Sequence, residues 1–337
     1  MGFNITALKQ EEPLGESNIF SKQELLEIDN LAKNVETNTV EIFSTDPIQI
    51  PISKSLSFEK SVNCEPQLTP YLFLPSVVDL SYWCSAIEDQ GSINSCTAFA
   101  ASGLIEYFAN KSQGKYTDVS PMFLYKAARN LMNVTGDVGA SLRETMKAIA
   151  LFGVPPEEFW KYEEDRVEDE PPAFCYSYAQ NYQSLKYFRL DYAGISKETL
   201  LFQLKAVLAA GFPCMFGFTI YSSVYDEFNI HKGYIPFPDA VKDQVVGGHA
   251  VVAVGYDDFK EIPQADSKLI SQGALLIRNS WGREWGCKGY GWLPYDYLLQ
   301  GLTRDWWSLL KTEWFEADNF GFGARNFGVE DKNSDQP

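Results

Sequence analysis

The sequence predicts an α+β fold, a helical first half followed by a largely antiparallel sheet. Between residues 75 and 165, apolar side chains recur at helical spacing behind N-cap signals. From 173 to about 315, short runs rich in Val, Ile, Phe and Tyr are separated by turn residues, the pattern of strands. The acidic, proline-ended stretch at 163–172 lies between them and reads as a crossover with a solvated face.

In chain order, residues 1–70 differ in character from the rest of the chain. Ser21-Lys22-Gln23-Glu24 is a capping box, and Leu25, Leu26, Ile28, Leu31 and Ala32 predict one short amphipathic helix. Residues 39–43 and 48–52 read as extended, with Pro47 and Pro51 excluding a central strand. A segment so poor in core either stays loose or lies across the folded body, the second being what a pro-segment would do. The division is then 1–70, a body at 71–318, and a loose tail at 319–337.

The body's first helix is expected at 96–113. Gly91, Asn94 and Ser95 supply turn chemistry before it, and Phe99, Leu104, Ile105 and Phe108 recur at helical spacing. Ser120-Pro121, an N-cap followed by proline at N1, opens a second helix through Asn130. Ser141-Leu142-Arg143-Glu144 reads as a capping box for a third helix that stops at Gly153. Ahead of it, residues 135–140 are glycine-rich enough to bring bare backbone to a surface. A further helix at 196–210 ends at Gly211, and strands are expected at 213–221, 249–256, 273–279 and 289–294.

Composition removes several classes of function. A chain of 337 residues with 45 % apolar residues can bury a large core. A net charge of −17 argues against nucleic acid or an anionic membrane as partner. There is no apolar run of transmembrane length and no basic start followed by an apolar block, so a cytoplasmic location is expected. The cysteines at 64, 84, 96, 175, 214 and 287 have no Cys-x-x-Cys spacing. No metal site or cofactor follows from them, and the expectation is reduced, buried thiols.

One stretch breaks that expectation. Asp89-Gln90-Gly91-Ser92-Ile93-Asn94-Ser95-Cys96 is a polar loop that delivers Cys96 into the first turn of a helix, where unpaired N–H groups and the dipole favour a thiolate. A cysteine nucleophile needs a base, and the chain has two histidines. His249 follows Val246-Gly247-Gly248 and opens a strand, where its ring would emerge at a sheet edge. His231 lies in a charged loop and is set aside. Asn279, ending a strand that would pair with the His249 strand, can orient the imidazole through its amide oxygen, with Trp281 covering that bond. The Gln90 amide N–H₂ and the Cys96 N–H can meet a developing oxyanion.

These blocks resemble the signature blocks of papain-family cysteine peptidases. They are Gln90-Gly91…Ser95-Cys96, Gly248-His249-Ala250-Val251…Gly255-Tyr256, and Asn279-Ser280-Trp281-Gly282…Trp285-Gly286…Gly289-Tyr290-Gly291. In detail the resemblance is closer to prokaryotic members than to lysosomal cathepsins. Leu74-Pro75…Asp79-Leu80 is similar to the family's mature start, and Asp137-Val138-Gly139-Ala140-Ser141-Leu142-Arg143 to its substrate-cleft loop.

The resemblance spans about 74–315. It implies a two-lobed fold, a helical lobe and an antiparallel or barrel-like sheet lobe with the active-site cleft between them. It further implies an endopeptidase acting on peptide or protein substrates through a thioester acyl-enzyme. Residues 1–70 lack the long helical pro-region typical of plant and animal members, so restraint by them as an inhibitor in cis is expected only from their own core-poor, proline-punctuated sequence. Gln90 would build the oxyanion hole, Cys96 attack, His249 act as base and then acid, and Asn279 orient it. Gly139, Ala140, Leu142, Phe218, Gly248 and Trp281 would contact substrate, with Leu142 and the 216–218 strand walling an apolar pocket for the second residue on the acyl side of the cut. The same four groups also suit an acyltransferase or transglutaminase-like enzyme, and the fold alone a silent binding module.

Three residues depart from the family pattern. Ile93 stands where many members carry a disulfide cysteine, and Asn94 where they carry glycine, a position at which Asn tolerates a left-handed backbone. Thr97 replaces the usual tryptophan after the nucleophile.

Overall fold

The computed structural model describes residues 74–114, 116–180, 186–265 and 268–310. The expected helix behind Ser21, the extended stretches near 39–52, Cys64 and the 319–337 tail lie outside the described residues.

A short strand, β1 (Val77–Asp79), precedes helix α1 (Cys96–Gln113). Almost every residue of α1 from Thr97 to Phe108 is buried, not one stripe. The helix runs between other helices and the sheet, which explains why small residues (Ala98, Ala100, Ala101, Ser102, Gly103) fill the faces its large side chains leave. Helix α2 (Pro121–Met132) begins as expected, with the Ser120 hydroxyl accepting the Phe123 N–H and Pro121 in the first turn. Helix α3 (Leu142–Phe152) is capped by Ser141 accepting from Glu144 N and stops at Gly153, φ 73°. The capping box is only half formed. The Ser141 N–H meets Met132 Sδ at 3.4 Å, and Glu144 pairs instead with Lys147 at 2.8 Å.

The second half comprises α4 (Ala173–Ala179), β2 (Lys186–Arg189), α5 (Lys197–Ala209), β3 (Cys214–Tyr221), α6 (Glu227–Lys232), β4 (Val245–Pro263), β5 (Ile270–Arg278), β6 (Tyr290–Pro294), α7 (Tyr295–Leu299) and β7 (Thr303–Leu310). The strands form one antiparallel sheet in the order β2-β7-β3-β4-β5-β6, with β1 added to β4. This is the two-lobed α+β architecture expected. Strands β1, β2 and β7 are not legible in the sequence pattern. The first two are three and four residues long, and β7 carries Asp305 at φ 55°, which breaks its alternation. His231 lies in α6 and not in a loop.

The two halves are pinned through Arg278, the last residue of β5. Its guanidinium donates to Ser85 Oγ (2.8 Å) and Ala86 O (2.6 Å). Ser85 donates in turn to Glu106 of α1, whose other oxygen accepts Val119 N–H at 3.0 Å. Gly103 of α1 makes room for the guanidinium, since a Cβ there would lie 2.5 Å from Arg278 Nη1. The residue after Arg278 is Asn279, so this buried network fixes where the β5 strand releases its site loop.

Strand β1 can pair with β4 because Gly255 has no side chain. A Cβ at this position would collide with the Val78 carbonyl oxygen. Gly255→Ala is therefore expected to cost about 1–3 kcal/mol by overpacking. Urea unfolding of the two proteins measures this, and an unchanged midpoint would contradict the packing argument.

Candidate active site

Cys96 is the first residue of α1, and α1 packs against β4, the strand that bears His249. The thiol is half-buried and not in a disulfide. No side chain caps the first turn at Ser95, whose hydroxyl is 2.6 Å from the Tyr162 hydroxyl instead. The loop before Cys96 is held from several sides. Tyr162 donates to Gln90 O at 2.7 Å, Glu164 accepts from Ser92 N and Oγ, and Asp137 accepts from Asn94 N. Gly91 (φ 63°) lies under the Glu164 carboxylate with no space for a Cβ. The acidic run at 163–170 thus does more than face solvent: Glu164 braces this loop, Glu168 pairs with Arg129, and Glu170 accepts from Asn130 and Tyr176.

His249 sits on an internal strand and not at a sheet edge. Strand β5 pairs with β4 only from Val252↔Arg278 onward, so at His249 the β5 side is filled by the loop 279–282. The His249 Nε2 lies 2.7 Å from Asn279 Oδ1, which also accepts the Ser280 N–H at 2.8 Å. A backbone N–H can only donate, so the acceptor end of the amide is Oδ1. His249 Nε2 must then carry the proton and, in the neutral ring, Nδ1 the lone pair. The ring is 4 % exposed. Trp281 stacks on it (4.6 Å, 23°), Tyr225 stacks on Trp281 (6.2 Å), and Phe218 meets the ring edge-on at 5.8 Å. Burial lowers the His249 pKa to about 4, and the Asn279 bond offsets part of that.

Gln90 is drawn into the same site by a clip between two loops. Gln90 N donates to Ser280 O (2.9 Å), Gly282 N to Glu88 O (3.1 Å), and Ser280 Oγ to Gln90 Oε1 (2.7 Å). The last bond orients the amide, and Nε2 donates one hydrogen to Ile93 O at 3.0 Å. Ser280 has no signal of its own in the sequence beyond its place within Asn279-Ser280-Trp281-Gly282. Tyr162 and Asp137 carry no local signal, because their partners are 67 and 43 residues away.

The residues expected to contact substrate separate into two groups. Trp281 and Gly248 adjoin His249, and Leu142 lies against β3. Phe218 does not share the Leu142 wall. Its side chain is buried on the His249 and Tyr297 side, and the β3 residue against Leu142 is Gly217, where a Cβ would be 3.1 Å from Leu142 Cδ1. The period-2 alternation of the strand is the reason. Gly139 is buried and its N–H is donated to Tyr125 Oη (3.0 Å), so that donor is already taken, and the half-buried Ala140 follows it.

Of the three departures, Ile93 and Thr97 are buried, with Thr97 Oγ1 lacking a hydrogen-bond partner. Asn94 is not left-handed; its side chain bonds Asp137 instead. Cys175 and Cys214 are buried as expected, but Cys287 is exposed. Among the described residues, no group of His, Cys, Asp and Glu could hold a metal ion, and no helix is long and apolar enough to cross a membrane.

Residues 74–298 match the family profile described as "Papain family cysteine protease". The chain is 31 % identical over 259 residues to a peptidase C1-like protein of Acanthamoeba polyphaga mimivirus, covering 74 % of this chain and 78 % of that one. It is 28 % identical to pro-cathepsin H of Bos taurus, of whose length it spans 58 %. Among solved structures it is similar to xylellain, a cysteine protease from Xylella fastidiosa, with TM-score 0.57 and 32 % identity, covering 71 % of this chain and 87 % of that one. With the fold and the loop arrangement above, these matches identify the chain as a member of the papain family, a cysteine peptidase that hydrolyses peptide bonds.

Proposed function

We propose that this protein is an endopeptidase working through Cys96, His249, Asn279 and Gln90. The observation that carries the reading is the double acceptance by Asn279 Oδ1, which makes His249 Nε2 a donor and leaves Nδ1 as the base. Cys96 gives its proton to Nδ1 and its sulfur attacks the substrate carbonyl. The oxyanion is met by the Cys96 N–H and by the second hydrogen of Gln90 Nε2, whose amide is held by Ser280. The imidazolium, steadied by Asn279 and the Trp281 face, passes its proton to the leaving amine as the thioester forms. The neutral ring then activates water to release the acyl group. Gly248, Ala140, Leu142 and Trp281 would line the substrate path. Five cysteines outside any disulfide in the described residues, together with Ile93 where many members carry a disulfide cysteine, support a reducing, cytoplasmic setting.

Cys96→Ala is expected to abolish peptide-amide turnover, and Gln90→Ala to lower kcat about 10²–10³-fold with KM little changed. Surviving cleavage by the Cys96 variant in a steady-state assay would refute the mechanism.

The His249 environment also sets a pH dependence. A folded pKa near 4 against 6.5 in the unfolded chain means the unfolded state takes the proton first, so this contribution falls as pH drops from about 6.5 to 4. The displacement is worth about 3 kcal/mol. Glu88 and Glu106, pushed up to about 8 and about 7 by burial, act in the opposite sense, favouring the fold at low pH and losing effect as pH rises from about 4.5 to 8. The stability difference between wild type and His249→Gln, followed by urea titration, should therefore shrink on acidification below 6.5. A pH-independent difference would mean that His249 is not held neutral.

For residues 1–70 we propose restraint in cis, on the strength of their core-poor, proline-punctuated sequence ahead of Leu74. A chain beginning at Pro70 is expected to turn over peptide, and to be alkylated at Cys96, faster than the full chain. Equal rates would remove the proposal.

A further inference from the structure

Asn94, two residues before Cys96, is bonded to Asp137 four times over. Asn94 N donates to Asp137 Oδ1 and Oδ2 (2.9 and 3.1 Å), and Asn94 Nδ2 donates to Asp137 O and Oδ2 (2.9 and 3.3 Å). The same carboxylate accepts from Tyr125 Oη at 2.6 Å, and Tyr125 Oη accepts the Gly139 N–H at 3.0 Å. Burial and the Asp137 carboxylate raise the Tyr125 pKa, so the phenol stays a donor toward Asp137. The loop carrying Asp137 is held at its other end too. Arg129 lies over the Tyr125 ring at 4.3 Å and donates to Gly136 O, while Glu168 accepts Gly136 N–H at 2.9 Å. Gly136 and Gly139 bracket Asp137 at φ 83° and 82°, a backbone that brings both peptide groups to these partners.

Nothing in the catalytic cycle uses this assembly, yet it joins two particular places. One end is the peptide leading into Cys96. The other is the loop that runs directly into Ala140 and Leu142, with Leu142 lying against Gly217 of β3. Asn94 stands where glycine is usual in the family, and glycine could make neither side-chain bond.

We propose that the Asn94–Asp137–Tyr125–Gly139 chain of hydrogen bonds is a clamp that sets the spacing between the nucleophile loop and the acyl-side wall of the cleft, with Asp137 as its central positioning residue. This rests on reading Cys96 as the nucleophile and residues 139–142 as that wall. Because the clamp acts on the wall, it governs how tightly a substrate extended on the acyl side is held, and leaves the intrinsic reactivity of the thiol nearly untouched. The Asn94 and Asp137 groups form one bonded unit, so their removal is not additive.

The test compares Asp137→Ala, Asn94→Gly, the double variant and Tyr125→Phe in the full chain. The readouts are KM and kcat for a peptide with three residues on the acyl side, and the rate of Cys96 alkylation by iodoacetamide mapped by mass. Asp137→Ala is expected to raise KM about tenfold with kcat and alkylation within about threefold, since the loss falls on substrate binding. Asn94→Gly should give a smaller rise, and the double variant no more than Asp137→Ala alone. Tyr125→Phe, which keeps the ring and cuts only the Gly139 leg, should move KM in the same direction and serves if Asp137→Ala fails to fold. Unchanged KM in all variants, equal losses in kcat and alkylation, or strictly additive effects would each overturn the clamp. Failure of the underlying reading appears separately, as turnover that survives Cys96→Ala.

Discussion

The site depends on one junction, the pairing of residues 88–90 with residues 280–282. Two backbone hydrogen bonds and the Ser280–Gln90 side-chain bond join the loop that leads to Cys96 with the loop that follows β5. Each loop belongs to a different half of the chain. Separately, Gln90 is a side chain in a turn and Asn279 the end of a strand. Joined, they bring the Gln90 amide against the loop whose Asn279 Oδ1 meets the His249 ring. Ser280 serves both, donating its N–H to Asn279 Oδ1 and its hydroxyl to Gln90 Oε1. Two amides whose flips would otherwise be free are thereby fixed, and with them the tautomer of His249.

Behind that junction lies a second, buried one. Arg278 reaches across to Ser85 and Ala86, and Ser85 to Glu106 of α1. A guanidinium in this position is tolerable because Nη2 donates to Ser85 and Ala86 and the Glu106 carboxyl group is reached through Ser85, although Nε is buried without a partner; removing Ser85 would leave more of the guanidinium unsatisfied. The two junctions are adjacent in sequence, Arg278 and Asn279. The Arg278 network therefore aligns the strand end and the Gln90–Ser280 clip aligns the loops beside it, with little freedom left between them.

The loop leading into Cys96 receives the same treatment from the helical half. Tyr162, Glu164 and Asp137 approach it from segments far away in sequence, and Tyr225 and Trp281 build an aromatic cover over the imidazole. Dry aromatic surroundings keep His249 neutral, and the backbone-defined orientation of Asn279 keeps Nδ1 as the basic nitrogen. Burial and hydrogen bonding thus act on different properties of one ring, its charge and its tautomer.

Much of this is legible in the chain alone. The starts of α2 and α3 follow from Ser120-Pro121 and Ser141, and the stop of α3 from Gly153, because capping is a contact between near neighbours. Four of the sheet's strands follow from β-branched runs bounded by turn residues, and the ordered blocks around Gln90, Cys96, His249 and Asn279 mark the family. Tertiary structure decided the rest. It made His249 internal to the sheet, with the loop 279–282 against its flank because the β5 pairing stops at Arg278. It turned Phe218 away from Leu142, set Gly217 there instead, and used up the Gly139 N–H on Tyr125. It gave Asn94 a role that its backbone tolerance did not foretell, through a carboxylate 43 residues on. The physical reason is the range of the interactions: propensity, caps and periodicity act over a few residues and are written locally, whereas register, burial and cross-loop hydrogen bonds exist only once distant segments are packed together.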